Sequence, residues 1–158
     1  MTEAWIIDVA RTPRGGGKIG KGSLTEVHPQ RLLSTVLRAL AARNDIDPDD
    51  IDEVIAGCGS QFGKQGSCIA RMAALDAGFG SAAPGFTIDR FCGSGLTSVN
   101  VAAMGVMSGM MNLTMAGGVE SMSFISTTDR SPFVDAGNED LRRRHPEGDA
   151  GQRIDPAG

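Results

Sequence analysis

The stretch from Pro84 to Met104 most constrains what this chain can fold into. Gly85-Phe86-Thr87-Ile88 reads as a short strand, Asp89-Arg90-Phe91 as a tight link, and Cys92-Gly93-Ser94-Gly95-Leu96 as a turn entering an amphipathic helix. This order puts a thiol at a helix N-terminus, where unpaired backbone N–H groups and the positive end of the helix dipole favour a thiolate. The neighbouring glycines leave room for a substrate to approach. Cys92 is therefore a candidate nucleophile, although a lone cysteine without context is more often a small core residue beside close-packing glycines.

The flanking chain supplies that context. Ala4 to Val9 reads as a buried strand ended by Arg11-Thr12-Pro13, and Gly15 to Gly22 as a mobile surface loop. The loop narrowly misses a phosphate-binding pattern, because Gly22 stands where a metal-binding Ser or Thr is required. Pro29 suits the first position of a helix whose face carries Leu32, Leu33, Val36, Leu37 and Leu40, with Asn44 as its stop. A helical turn is expected near Pro48, a buried strand over Val54 to Cys58, and a glycine loop over Gly59 to Gly66. A helix then runs from about Ser67 to Ala77, packing through Ile69, Met72, Ala73 and Leu75, and both Cys58 and Cys68 read as structural. The helix after Cys92 extends to about Met110, with Leu96, Val99, Ala103, Val106 and Met107 on its apolar side. A last strand covers Asn112 to Ala116 and ends in Gly117-Gly118. Strands alternating with helices imply a layered α/β arrangement with a largely parallel sheet.

Residues 1–123 form the expected domain core, and residues 124–158, rich in Asp, Arg, Gly and Pro, the start of a further module too poor in apolar residues to make a core alone. With 15 basic against 19 acidic residues, the charge balance gives no reason to expect a nucleic-acid or membrane partner. Arg142-Arg143-Arg144 is the one dense basic run, and a solvated face accounts for it. The sequence shows no apolar run long enough for a membrane span and no signal-peptide pattern, so a cytoplasmic location is expected. Cys58, Cys68 and Cys92 lack Cys-x-x-Cys spacing, which supports neither a disulfide framework nor structural zinc.

Arg11-Thr12-Pro13, the segment from Asp89 to Leu96, and the run Ala116-Gly117-Gly118-Val119-Glu120-Ser121-Met122-Ser123 together resemble the N-terminal part of the thiolases, the acyl-CoA C-acyltransferases of fatty-acid metabolism. The likeness covers residues 4–123, and the Pro132-Phe133 and His145-Pro146 region resembles the opening of the family's loop domain. It implies a thiolase-like N-terminal domain with a βαβαβ-type core, incomplete here, that in a complete enzyme pairs with a similar C-terminal domain. It also implies that Cys92 accepts an acyl group from a coenzyme A thioester and passes it to a second one, with its backbone N–H helping to hold the thioester oxygen. No metal or redox cofactor is needed, and the implied partners are acyl-CoA, coenzyme A, a second copy of the chain, or a complementary C-terminal half.

The family also uses a histidine in a Gly-His-Pro motif, a second cysteine in a Cys-x-Gly motif and an Asn/His pair, none of which this sequence contains in the required form. His28 and His145 precede prolines but lack the preceding glycine; His28 reads as entering a helix and His145 as part of a polar loop. Asp89 stands where the family commonly has Asn, bringing a carboxylate near Cys92. The alternative reading is a truncated thiolase that keeps fold and interface but turns nothing over. Gly93-Ser94-Gly95 is not a Gly-x-Ser-x-Gly elbow, which argues against a hydrolase, and the Ala116 to Ser123 run favours a thiolase over a related condensing enzyme.

Overall fold

The computed structural model describes residues 3–16 and 22–127. Helix α1 spans Pro29–Arg43, with proline in its first turn, and His28 Nδ1 accepts the Gln30 N–H at 3.2 Å. Leu33, Leu37 and Ala41, four residues apart, bury one stripe of the helix. A single 3-10 turn, Pro48–Asp50, then leads into β1, Glu53–Gly57. Helix α2 covers Ile69–Asp76, β2 Gly85–Ile88, α3 Ser94–Met107, β3 Thr114–Gly118 and α4 Met122–Thr127.

The three strands form a parallel sheet in the order β2-β1-β3, with Val54 opposite Gly85 on one side and Met115 on the other. The central strand is covered on both faces, so β1 reads as an unbroken apolar run rather than an alternating one. Val54, Ala56 and Met115 face a core made with Leu33 and Leu37 of α1 and Ala70, Ala73 and Ala74 of α2. The next connection, from β2 to β3, runs back across β1. Right-handed crossovers taken in opposite directions place their helices on opposite faces, which is why α3 lies on the face away from α1 and α2. The head of α3 consequently sits over the carboxyl end of β1.

Four sequence expectations are corrected. Ala4 to Val9 is not a buried strand: it has no regular structure, and Trp5, Ile6, Ile7 and Val9 are 71–80 % exposed. Instead, Asp8 pairs with Arg43 and accepts from Asn44 Nδ2 at 2.8 Å, while the Val9 carbonyl accepts from Arg43, so polar contacts tie the segment to the end of α1. In α2, Met72 and Leu75 are exposed and alanines 70, 73 and 74 form the buried stripe with Ile69. In α3, Leu96 and Met107 are exposed and the buried positions are Ser94, Ser98 and Ala102. Both helices lie so close to the sheet that small side chains take the contact face. The last strand begins two residues later than expected, at Thr114.

The described residues as far as Ser126 belong to one compact unit, Met1–Ser126. The loop-domain reading beyond Thr127, with Arg142 to Arg144, Pro132-Phe133 and His145, lies outside the described residues, as do residues 17–21 of the glycine loop.

Candidate active site

The site is built where β2 gives way to α3, at the carboxyl ends of the parallel strands. Between them runs one 3-10 turn, Phe91–Gly93, with Cys92 at its centre and exposed. Phe91 adopts a left-handed backbone with φ 51°, a costly conformation for a bulky side chain that the surroundings must enforce. Four hydrogen bonds do so. The Phe91 N–H donates to Asp89 Oδ1 at 2.9 Å and the Gly93 N–H to the Arg90 carbonyl at 3.0 Å. Ser94 Oγ accepts the Arg90 N–H at 2.8 Å and donates to the Phe91 carbonyl at 2.6 Å. The carboxylate of Asp89 thus has a structural task that an Asn carbonyl oxygen would perform equally. It is the side-chain oxygen of a local Asx turn.

The helix that follows, 14 residues long, is seated closely on the sheet. A Cβ on Gly57 would overlap the Ser94 carbonyl carbon and lie 2.5 Å from the Gly95 nitrogen, so only glycine at the end of β1 lets α3 begin here. Fully buried Ser98 fixes the next turn, its hydroxyl shared between the carbonyls of Gly95 at 2.6 Å and Gly117 at 2.7 Å. On the outer side, Gly93 and Gly95 face open space, where a Cβ would meet nothing within 4 Å.

The other cysteines are placed differently. Cys58 is buried behind the turn, and burial, with the carboxylates of Glu120 and Asp89 adding to it, pushes its thiol up to about 11. Cys68 begins α2 with φ 57°, and its thiol donates to the Gly85 carbonyl at 3.3 Å. Both have the structural roles read from sequence, and His28 caps α1 rather than joining the site. Among the described residues, no group of His, Cys, Asp and Glu side chains converges as a metal site would, and no helix is long and apolar enough to cross a membrane. A cavity of about 1170 Å³ lies elsewhere, between the Leu32 and Val36 side of α1, the β3 edge and the Asp8 to Gly16 segment; Cys92 is not part of its wall.

Sequence reasoning missed the supports of the turn. Gly57 and Ser98 carry no motif that singles them out, Ser94 lies in the cysteine motif without a role read for it, and nothing singles out Gln65, which is fully buried and joins Ser60, Glu120 and Ser121 by hydrogen bonds. Glu120 and Ser121 belong to the recognisable run from Ala116 to Ser123, but nothing in that run points to their roles.

The thiolase N-terminal domain family matches residues 4–144. A steroid 3-ketoacyl-CoA thiolase of Mycobacterium tuberculosis is 40 % identical over 94 % of this chain and 37 % of its own length. A 3-oxoadipyl-CoA/3-oxo-5,6-dehydrosuberyl-CoA thiolase of Escherichia coli is 44 % identical over 85 % of this chain and 31 % of its own. Among solved structures, the acetyl-CoA acetyltransferase of Bacillus anthracis is 40 % identical and superposes with a TM-score of 0.60, over 65 % of this chain and 26 % of that one. The chain therefore spans about a third of the length of the two relatives, 37 % and 31 %. A βαβαβ layer with a cysteine turn at its strand ends, matched by the family over residues 4–144 and by a solved structure over 65 % of the chain, makes this chain a member of the thiolase family, corresponding to its N-terminal part.

Proposed function

We propose that Cys92 is the acyl-accepting nucleophile of a thiolase reaction whose substrates are coenzyme A thioesters. The observation that carries the reading is the exposed thiol on a strained, four-bond turn at the head of α3, with open space over Gly93 and Gly95. A nucleophile on such a turn is presented to substrate without the freedom of a loop.

In the simplest half-reaction, the Cys92 sulfur attacks the thioester carbonyl carbon of acetyl-CoA. The new bond is the acyl–Sγ bond, the broken one joins the acyl carbon to the sulfur of coenzyme A, and the proton lost by Cys92 ends on the departing thiol. With a 3-ketoacyl-CoA, attack falls on the 3-keto carbon instead. The carbon–carbon bond breaks, its electron pair leaves with acetyl-CoA, and that carbon takes the proton. Neither exchange oxidises or reduces anything. Backbone N–H groups at the start of α3, that of Cys92 among them, are suited to an oxygen that gains negative charge during attack.

The second step needs an acid and a base. The family motifs that supply them, Gly-His-Pro and Cys-x-Gly, do not occur in this sequence, so the reading includes a complementary C-terminal thiolase half as partner. The exposed apolar residues Leu96, Met104 and Met107 along α3 support such a partner. The test is to incubate the chain with acetyl-CoA or acetoacetyl-CoA, alone and with a separately supplied C-terminal half, and to map acyl adducts by mass spectrometry. An adduct on Cys92 that disappears in Cys92→Ser is expected. No adduct in either mixture overturns the reading.

A further inference from the structure

We propose that Gln65 and Glu120 form a clamp that positions the Cys92 turn, as positioning residues acting through Gly59 and Phe91. The inference rests on the proposed role of Cys92 and extends it to groups that do not touch the thiol. Gln65 is 0 % exposed, and both N–H groups and the oxygen of its amide have partners. Its Oε1 accepts the Ser121 N–H at 2.6 Å, and its Nε2 donates to the Ser60 carbonyl at 3.0 Å and to Glu120 Oε1 at 2.8 Å. The second carboxylate oxygen of Glu120 accepts the Gly59 N–H at 2.7 Å. Each partner is specified. Rotating the Gln65 amide would set its NH₂ against the Ser121 N–H, and only a carboxylate at position 120 offers one oxygen to Gln65 and a separate one to Gly59.

The clamp reaches the nucleophile through backbone. A Cβ on Gly59 would lie 3.3 Å from Glu120 Oε2 and 3.6 Å from both the Cα and the carbonyl oxygen of Phe91, so Gly59 is sandwiched between the carboxylate and the strained residue before Cys92. The loop that carries Gln65 is held from its outer side by Phe124 of α4, whose ring centroid lies 5.9 Å from that of Phe62. A left-handed Phe91 persists only while its surroundings over-determine it. Gly59, fixed by Glu120, is one wall of those surroundings.

The test exploits donor and acceptor count. In Glu120→Gln, Gly59 and Gln65 compete for one oxygen; in Gln65→Glu, two carboxylates meet. The double variant restores the pair in mirror order: the carboxylate now at position 65 would accept from Ser121 and from the new amide at position 120, whose oxygen takes Gly59, while the Ser60 carbonyl loses its donor and faces a carboxylate oxygen. In each single variant, hydrogen exchange at the Phe91 and Gly93 amides is expected to quicken about tenfold through local opening. Acylation of Cys92 by acetyl-CoA is expected to slow by about tenfold or more, with the half-saturating concentration within about twofold, because misplacement lowers the rate rather than binding. The double variant recovers part of both losses, the repulsion at Ser60 keeping it short of wild type. Asp76→Ala, which removes partners of Ser34 and Arg31 on α1, lowers stability without changing exchange at Phe91.

Wild-type exchange at Phe91 and Gly93 in single variants whose 59–66 loop has loosened overturns the inference. If the single variants do not fold, the double variant decides: a turn that loosens or stays firm together with the 59–66 loop sustains the clamp, and a turn whose exchange departs from that of the loop refutes it. Exchange is read whether or not an acyl adduct forms. Failure of wild type to acylate therefore overturns the proposed function alone.

Discussion

Substituting Gly57 by alanine perturbs the site at its foundation without touching a polar group. The added Cβ would lie 2.5 Å from the Gly95 nitrogen, whereas ordinary contact begins at 3.4 Å, so the head of α3 must retreat by about 0.9 Å or the end of β1 must bend. Both neighbours are backbone, so no side chain can rotate away. Overpacking of this kind costs about 1–3 kcal/mol. For a domain between the small and middle sizes, the midpoint of that range corresponds to a fall in Tm of about 6–12 °C. The catalytic consequence is larger than the thermal one, because displacement of a nucleophile by about 1 Å costs about 100-fold in rate. Gly117→Ala on the adjacent strand is the control: its Cβ would meet nothing within 4 Å, and its effect on Tm should stay within the spread of ordinary surface substitutions. The assay pairs thermal unfolding with the rate of Cys92 acylation by mass spectrometry. A Gly57→Ala chain that melts and acylates like Gly117→Ala would refute the claim that glycine at this position seats the helix.

Ser94→Ala leaves the Arg90 N–H of the turn without its side-chain acceptor and should cost about 1–3 kcal/mol in denaturant unfolding. Asp89→Ala removes the acceptor of the Phe91 N–H and should cost about 1 kcal/mol, whereas Asp89→Asn keeps a carbonyl oxygen there and should unfold at the wild-type denaturant concentration. Cys58 gives a pH signature. Its thiol titrates near 9.0 in the unfolded chain and at about 11 in the fold, so its contribution to stability is complete below the lower value and declines as pH rises through that window. Cys58→Ala should abolish that part of the alkaline decline in urea titrations, and at mildly alkaline pH iodoacetamide should label Cys92 well before Cys58.

Elements whose signals are local were legible from the sequence. Pro29 and Asn44 bracket α1 because a proline suits a first helical turn and an asparagine a helix end, and Gly85 to Ile88 is a strand in the residues expected. The cysteine turn was legible for the same reason: a strand, a short link and a helix start define it. The faces of α2 and α3 were not. α3 is apolar nearly all round, so periodicity cannot choose between a leucine face and a Ser94, Ser98, Ala102 face; the closeness of the sheet chooses. Nor could composition reveal that Ala4 to Val9 would hang from Arg43 and Asn44, since those bonds join residues some 35 positions apart. The clamp was hidden likewise. Gln65 in a polar glycine loop looks like a solvated residue until Glu120, 55 positions later, is brought to it.

The strand order β2-β1-β3 also dictates when the sheet can be finished. Glu53 pairs with Thr114, so during synthesis 61 residues separate the centre of the sheet from its second neighbour. At about 5–20 residues per second that interval lasts about 3–12 s, during which β1 has an unpaired edge even after β2 has joined it. A nascent chain in that state offers Val54, Ile55 and Ala56 to any passing strand. The short, glycine-ended β3 is thus also the piece that covers the second edge of β1, and slowing its arrival should cost yield before it costs stability.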